Sequence, residues 1–157
     1  NTMKYFIASL SAMLLLAGCG GDEDVEIDGN LIQKRGGVAY LPKEEDPFTG
    51  VAVFKYASGK KEEAVTYKDG KEEGLWTYWY ESGQKKRERT YKAGKRDGPF
   101  ISWWESGQKM REGNAKDGKQ DGLVTEWYSN GKKSGEFTYN AGELISLKEW
   151  DEEGYLR

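Results

Sequence analysis

The stretch that decides the fold is residues 74–97, which read GLWTYWYESGQKKRERTYKAGKRD. It is one period of a repeat, because glycines recur before and after it at intervals of 24 residues. Three glycine ladders share this period: Gly50, Gly74, Gly98 and Gly122; Gly59, Gly83, Gly107 and Gly131; and Gly70, Gly94, Gly118 and Gly142. A fixed period of this length indicates a repeat architecture, in which each unit needs its neighbours to bury its apolar surface.

Each period predicts one β-hairpin and one connecting turn. In the quoted period, the first strand is predicted from Leu75 to Tyr80 and the second from about Lys85 to Tyr91. Ser82-Gly83 is the predicted hairpin turn, and its counterpart Asn130-Gly131 favours type I′, which needs positive φ at both central residues. A step of 24 residues leaves no room for a helical crossover, so the strands must be antiparallel. The predicted fold is therefore all-β, one elongated antiparallel sheet of tandem hairpin repeats.

Changes in composition divide the chain into five parts. The predicted boundaries are 1–18 for a signal peptide, 19–30 for a flexible acidic tether, 31–49 for an N-terminal cap, 50–145 for four hairpin repeats and 146–157 for a truncated C-terminal repeat. Terminal units of a repeat array must differ from internal ones, which is why a cap and a truncated unit are expected. The third repeat is expected to be irregular, because Pro99 stands where Leu75 and Leu123 stand in its neighbours and lacks a backbone donor.

The N-terminal stretch resembles a bacterial lipoprotein signal. Lys4 precedes a short apolar run that ends in Leu16-Ala17-Gly18-Cys19. The resemblance implies cleavage before Cys19, a diacylglyceryl group on its thiol and an acylated amino terminus, and two or more acyl chains anchor a protein firmly to a membrane. The residue after the cysteine is Gly20 rather than aspartate, which in a Gram-negative bacterium implies the outer membrane. An ordinary signal peptide with an unrelated cysteine is the alternative.

Aromatic side chains are concentrated in the first strand of each hairpin. Because side chains alternate between the faces of a strand, Trp76, Tyr78 and Tyr80 are expected on one face and Trp79 on the other. Rings on both faces of a polar sheet either join neighbouring repeats or form a binding surface. The candidate binding surface comprises Trp76, Tyr78, Trp79, Tyr80, Trp103, Trp104, Trp127 and Tyr128.

Basic side chains follow each hairpin turn. One lysine recurs there with the period of the repeat, as Lys61, Lys85, Lys109 and Lys133. In the second repeat, Lys85, Lys86, Arg87 and Arg89 form a candidate basic patch. This patch favours an anionic partner, such as a phospholipid headgroup, lipopolysaccharide or an acidic protein. The alternative is a solvated strand face whose lysines discourage pairing at the sheet edge.

The composition argues against catalysis and nucleic-acid binding. The sequence contains no histidine, which is the commonest general base and the commonest metal ligand. It also lacks the short motifs of nucleotide, metal and hydrolase sites. Adjacent carboxylates such as Glu62 and Glu63 point to opposite faces of a strand and cannot act as a catalytic pair. With a formal net charge of −3, the chain is expected to bind no nucleic acid, to need no metal or cofactor and to be no enzyme.

The repeat unit resembles the bacterial MORN-repeat variant. The residues that carry the resemblance are Gly-x-Trp-x-x-Trp-Tyr-x-x-Gly-Gln-Lys from Gly74, followed by Tyr-Lys-x-Gly-Lys-x-Asp-Gly from Tyr91. The resemblance extends over about residues 31–157, and chains of this kind are often labelled YwqK-type antitoxin components. It implies a string of β-hairpins in an elongated sheet and a role in binding or scaffolding.

The predicted function is a membrane-anchored, non-enzymatic lipoprotein that binds a protein partner or acts as a scaffold in the bacterial cell envelope. One alternative is an antitoxin-like or immunity protein that neutralises a toxin. Another is a protein that binds glycans or lipid headgroups through exposed Trp103, Trp104 or Trp127.

Overall fold

The computed structural model describes residues 25–157. The predicted signal peptide, the predicted lipid-attachment residue Cys19 and the first part of the tether lie outside the described residues. Strands dominate the described part of the chain, and no helix within it is long and apolar enough to cross a membrane.

Thirteen strands and one short 3-10 helix follow one another along residues 25–157. They are β1 (Glu26–Asp28), the 3-10 helix (Gly29–Leu31), β2 (Gln33–Arg35), β3 (Val38–Tyr40), β4 (Gly50–Lys55), β5 (Lys61–Lys68), β6 (Lys71–Trp79), β7 (Lys85–Lys92), β8 (Lys95–Trp103), β9 (Lys109–Lys116), β10 (Lys119–Gln120), β11 (Gly122–Trp127), β12 (Lys133–Asn140) and β13 (Glu143–Glu149).

The main sheet is a meander in which each hairpin continues into the next. Its strand order is β1-β4-β5-β6-β7-β8-β9-β11-β12-β13, and the short β10 pairs with β9. All pairs from β4 onward are antiparallel, which confirms the predicted sheet of tandem hairpins. The parallel pairing of β1 with β4 was not predicted. β2 and β3 form a separate two-stranded sheet on either side of Gly36-Gly37, as two short strands with a glycine turn between them predict.

The two kinds of turn are the reverse of the sequence prediction. Positive φ at both central residues, which defines type I′, occurs at Asp69-Gly70, Ala93-Gly94, Asp117-Gly118 and Ala141-Gly142. At the predicted type I′ turn Ser82-Gly83, only the glycine has positive φ. Gly83 N donates to Tyr80 O at 2.8 Å and Tyr80 N donates to Gln84 O at 2.8 Å, which makes a three-residue loop with a left-handed glycine. Tyr80 therefore lies in the turn, and β6 ends at Trp79.

The remaining glycine ladder marks a bulge in the first strand of each hairpin. Between the pairs Val65–Trp76 and Tyr67–Glu72, β5 contributes one residue and β6 contributes three. Gly74 lies in this bulge with a φ of 75°, a conformation that side chains disfavour. Each glycine ladder therefore satisfies a different backbone requirement, and each requirement recurs once per repeat.

Pro99 does not disturb β8, contrary to the prediction, but the third repeat is irregular opposite Gly113 and Asn114, where the partner of β9 is divided into β10 and β11. β8 passes through Pro99 with the same register shift that β6 shows in the preceding repeat. Pro99 lies inside the bulge, where pairing with β7 is interrupted, so its missing N–H costs no bond to β7. The Thr90 hydroxyl donates to the Pro99 carbonyl at 3.1 Å. A further departure, Gly113, leaves room for packing, because a Cβ there would lie 2.8 Å from Phe100 Cζ.

The most deeply buried cluster lies at the N-terminal end of the main sheet. Its members are Ala39, Phe48, Ala52, Val65 and Tyr67. Ala39 belongs to β3 and Phe48 follows it, and Phe48 N donates to Ala39 O at 2.8 Å. These two residues cover one face of the hairpin made by β4 and β5, and Trp76 of β6 packs against the same cluster. At the opposite end, all seven residues of the edge strand β13 are exposed.

Candidate functional site

Each type I′ turn is hydrogen-bonded to the start of the first strand of its own hairpin, or to the residues just before that strand. Gly94 N donates to Glu72 O at 2.9 Å, and Ala93 N donates to the Glu73 carboxylate at 2.7 Å. The same bond from the first turn residue is made to Thr49, Glu73, Asp97 and Asp121, each of which directly precedes a bulge glycine. The acceptor before each bulge glycine therefore joins the start of a hairpin to the turn that follows its second strand, a role that sequence reasoning missed although these positions recur every 24 residues.

At the opposite end of the hairpins, an aromatic donor joins each repeat to the next. The Tyr80 hydroxyl donates to Trp103 O at 2.8 Å, and Trp104 Nε1 donates to Trp127 O at 3.3 Å. Tyr56 and Tyr128 make the equivalent bonds, to Trp79 O and Trp150 O. Tyr80, Trp104 and Tyr128, which belong to the candidate binding surface, are thus half-buried links between repeats.

The recurring lysine contacts side chains of its own repeat and of the next one. Lys109 Nζ lies 2.7 Å from the Glu112 carboxylate and 5.7 Å from the ring centroid of Trp127. Lys133 repeats both contacts, with Glu136 at 2.5 Å and Trp150 at 5.5 Å, and its hydrogen bond lowers the pKa of the Glu136 carboxyl. Lys85, a member of the candidate basic patch, pairs with Glu88 at 2.5 Å.

One face of the main sheet carries an apolar groove of about 440 Å³ over β6 to β11, and we call this the groove face. Its apolar lining includes Leu75, Pro99, Ile101 and Leu123, and Glu88 and Glu112 also line it. Leu75 and Leu123 are 49% and 54% exposed, although both are large apolar residues. They directly follow bulge glycines, a position that the sequence analysis read as ordinary strand and did not assign to a site.

The opposite face carries arginines and aromatic rings, and we call it the arginine face. Residues directly opposed in an antiparallel ladder lie on the same face. Across the strands, one row runs Tyr78, Arg87, Ser102, Arg111 and Glu126, and a second row runs Trp76, Arg89 and Phe100. Sequence reasoning named Arg87 and Arg89 but missed Arg111, which only the pairing of β7, β8 and β9 brings near them.

Partial burial shifts the titration of several groups on the arginine face. Burial, and next the neighbouring Arg89, lowers the pKa of the Arg87 guanidinium. Burial raises the pKa of the Tyr78 hydroxyl to about 12. Burial also raises the pKa of the Glu63 carboxyl, which faces Tyr78 on β5. All three shifts disfavour the charged form, as expected where water is partly excluded.

The eight aromatic residues of the candidate binding surface are all half-buried. Trp76 and Tyr78 lie on the arginine face, where their rings stack at 5.5 Å with an interplanar angle of 14°. Trp79 is on the other face, as predicted, but Tyr80 does not continue the alternation because it lies in the turn. Of the candidate basic patch, Lys85 and Lys86 are exposed, and Lys86 Nζ lies 5.3 Å from the ring of Tyr80.

The chain also lacks an evident metal site over the range that the structure covers. Among residues 25–157, no three carboxylate, cysteine or histidine side chains are grouped closely enough to hold a metal ion.

The architecture is that of a tandem β-hairpin repeat protein. The sequence profile of the family described as MORN repeat variant matches three consecutive stretches, residues 72–93, 96–117 and 120–141. Three consecutive stretches of the chain therefore match the MORN repeat variant, and they begin in β6, β8 and β10 and end at type I′ turns. No curated protein matches the chain. The hairpin of β4 and β5 precedes the matched stretches and repeats their pairing.

Proposed function

We propose that this chain is a membrane-anchored, non-enzymatic binding or scaffold module that holds a protein partner on its groove face. The observation that carries the proposal is the exposed apolar lining of the groove, above all Leu75 and Leu123. Contiguous exposed apolar side chains on a polar protein are typical of interaction surfaces. Repeat arrays commonly use an extended surface of this kind to bind partners.

The anchor in this proposal is a lipid on Cys19, and the compartment is the bacterial cell envelope, at the outer membrane. Its support is the lipoprotein-like stretch Leu16-Ala17-Gly18-Cys19. The wild type is expected to incorporate labelled palmitate and to sediment with membranes, whereas Cys19→Ala should do neither. Palmitate incorporation in the Cys19→Ala variant would contradict the anchor.

The groove is tested with glutamate substitutions at matched leucines. Leu75 and Leu31 are 49% and 48% exposed, but only Leu75 lines the groove. A protein partner is expected to co-purify in a fixed ratio from solubilised membranes with the wild type and with Leu31→Glu. It should be lost with Leu75→Glu and with Leu123→Glu, because each substitution replaces an exposed apolar side chain of the groove with a charged one and removes its apolar contact.

Circular dichroism and thermal unfolding of each variant separate loss of binding from loss of fold. Co-purification that survives both groove substitutions would exclude the groove as the docking surface. If the partner were also lost with Leu31→Glu, the effect of the glutamate substitutions would not be specific to the groove.

A further inference from the structure

Three arginines meet on the arginine face. Arg87 and Arg89 come from β7 and Arg111 comes from β9, with the buried Ser102 of β8 between Arg87 and Arg111 in the ladder. Residues two apart on a strand are about 7 Å apart, and alternate strands are about 10 Å apart. The three side chains therefore start from positions spread over a patch and not from one point.

This cluster contains more positive charge than the neighbouring carboxylates neutralise. Within residues 25–157, neither Arg87 nor Arg89 forms a salt bridge. Arg111 Nε lies 3.1 Å from the Glu126 carboxylate, yet it is buried and its N–H does not point at an acceptor. Because partly buried guanidinium groups have lost water, an added carboxylate would recover free energy for them.

Aromatic groups surround the arginines and limit their access to water. The Arg87 guanidinium lies 5.6 Å from the ring of Tyr78, and the Arg111 guanidinium lies 5.6 Å from the ring of Phe100. Trp76 lies on the same face, and its Nε1 is buried. Rings and guanidinium groups together provide stacking as well as ionic contact for a bound chain.

We propose that the arginine cluster binds carboxylates of an acidic, extended segment of a partner protein that runs along β7, beside Arg111 of β9. Alternate side chains of an extended segment project to one side about 7 Å apart, which matches the spacing of Arg87 and Arg89. Each guanidinium can take one carboxylate in a two-point contact. The carboxylates of Glu63 and Glu126 flank the patch, so a broad anionic surface such as a bilayer would meet repulsion on both sides. The patch lies on the face opposite the groove, so the proposal does not depend on the groove.

The test measures binding of two labelled peptides by fluorescence anisotropy at physiological salt. One peptide of on the order of ten residues alternates glutamate and threonine, so that an extended chain presents its carboxylates on one side. The second has the same composition with its glutamates consecutive. The alternating peptide is expected to bind the wild type several-fold more tightly. Equal affinity for the two peptides would overturn the extended geometry.

The arginines are tested with Arg87→Gln combined with Arg89→Gln. The loss of two charge-assisted contacts should weaken binding of the alternating peptide by about tenfold or more. The matched control combines Lys92→Gln with Lys116→Gln, two exposed lysines near the type I′ turns, and removes the same charge with little effect. Lysine at both arginine positions should restore only part of the affinity, because lysine cannot make the two-point contact.

Two outcomes would reject the acidic segment as the occupant. In the first, the lysine control weakens binding as much as the arginine variant, which would show that only net charge matters. In the second, inorganic phosphate or phosphatidylglycerol vesicles bind the wild type through Arg87 and Arg89 while the alternating peptide does not. The groove variant Leu75→Glu is expected to leave peptide binding unchanged.

Discussion

Ala93 and Ala141 occupy a backbone conformation that few residues with a side chain adopt. Their φ values are 48° and 49°, whereas aspartate fills the equivalent position at Asp69 and Asp117. Asparagine and aspartate tolerate this left-handed region because their side chains bond locally to the backbone, and alanine has no such bond.

Replacing Ala93 with asparagine is therefore expected to stabilise the protein. The gain should be about 0.5–1 kcal/mol, since relief of a backbone mismatch has effects of this size. Urea unfolding of Ala93→Asn against the wild type measures it. Ala57→Asn is the control, because Ala57 is also exposed but does not have positive φ. An equal gain in both variants would show that the backbone conformation is not the cause.

Tyr67 makes the stability of the fold sensitive to alkaline pH. It is 3% exposed, and burial raises its pKa from 10.0 to about 12. A group whose pKa is raised on folding contributes fully to the free energy of unfolding at pH values below its pKa in the unfolded state. This contribution is lost as the pH rises through its pKa in the folded state. The contribution of Tyr67 to the free energy of unfolding is therefore fully present below about pH 10 and is lost as the pH approaches about 12.

Tyr67→Phe is expected to reduce the loss of stability between about pH 9 and about pH 11.5, because phenylalanine has no proton to lose. The measurement is the free energy of unfolding in urea at both pH values. Tyr155→Phe, at a tyrosine that is 72% exposed, should leave the pH dependence as in the wild type. Parallel pH profiles for Tyr67→Phe and the wild type would count against a role for Tyr67.

At the scale of the hairpin, both ends of each unit carry hydrogen bonds outside the strand ladder, and at one end these bonds reach the next unit. One end uses the turn amides, as Gly94 N does with Glu72 O, and the other uses aromatic donors, as the Tyr80 hydroxyl does with Trp103 O. Strand pairing alone would leave these ends free to separate. The additional bonds make consecutive hairpins cooperative, which is what a thin sheet with a small core needs.

Tyr80→Phe removes one of these links and keeps the ring. Loss of the 2.8 Å bond to Trp103 O is expected to cost about 1 kcal/mol of stability. Chemical denaturation measures the change. Tyr139→Phe is the comparison, because Tyr139 is also half-buried but its hydroxyl makes no hydrogen bond within residues 25–157. The link would be unimportant if the two variants lost equal stability.

At the scale of the whole molecule, the period should allow one unit to be removed. Deletion of residues 98–121 joins Asp97 to Gly122 and restores an acceptor before a bulge glycine. The shortened chain is expected to fold as a β-sheet with a smaller urea m-value, since it exposes less surface on unfolding. Circular dichroism and urea titration measure both properties.

Deletion of residues 98–120 is the control, because it removes one residue fewer. It shifts every later acceptor and side chain by one position, which exchanges the two faces of the strands. This variant should be largely unfolded. A chain that tolerated both deletions equally would show that the strict period is not required.

The fold could be predicted because the recurring glycines mark the positions where the backbone turns or bulges. The type of turn was assigned to the wrong ladder, because Asp69-Gly70 and Asp117-Gly118 carry the Asp-Gly signal of type I′ whereas Ala93-Gly94 and Ala141-Gly142 in the same ladder do not. The loop at Ser82-Gly83 has three residues and not two, because Tyr80 pairs with Gln84 across it. That pairing depends on where neighbouring strands end, which is a tertiary property.

The candidate site was only partly predictable. Alternation along a strand placed Trp76 and Tyr78 on one face, but it could not show that Arg111 joins Arg87 across an intervening strand. Lys85 and Arg87 are neighbours in the sequence, yet Lys85 pairs with Glu88, which lines the groove, whereas Arg87 lies on the opposite face. Lys85 and Arg87 are close in the sequence and were therefore assigned to one patch. The bulge in β7 separates their side chains.

The bonds from the type I′ turns have a consequence for solvent exchange. Amide hydrogens at the tips of hairpins normally exchange with deuterium quickly, because they point into water. Here the tip amides of Ala93 and Gly94 are donated to Glu73 and Glu72 at the start of β6. These amides should be slow to exchange, with protection that reports whether the hairpin of β6 and β7 is intact.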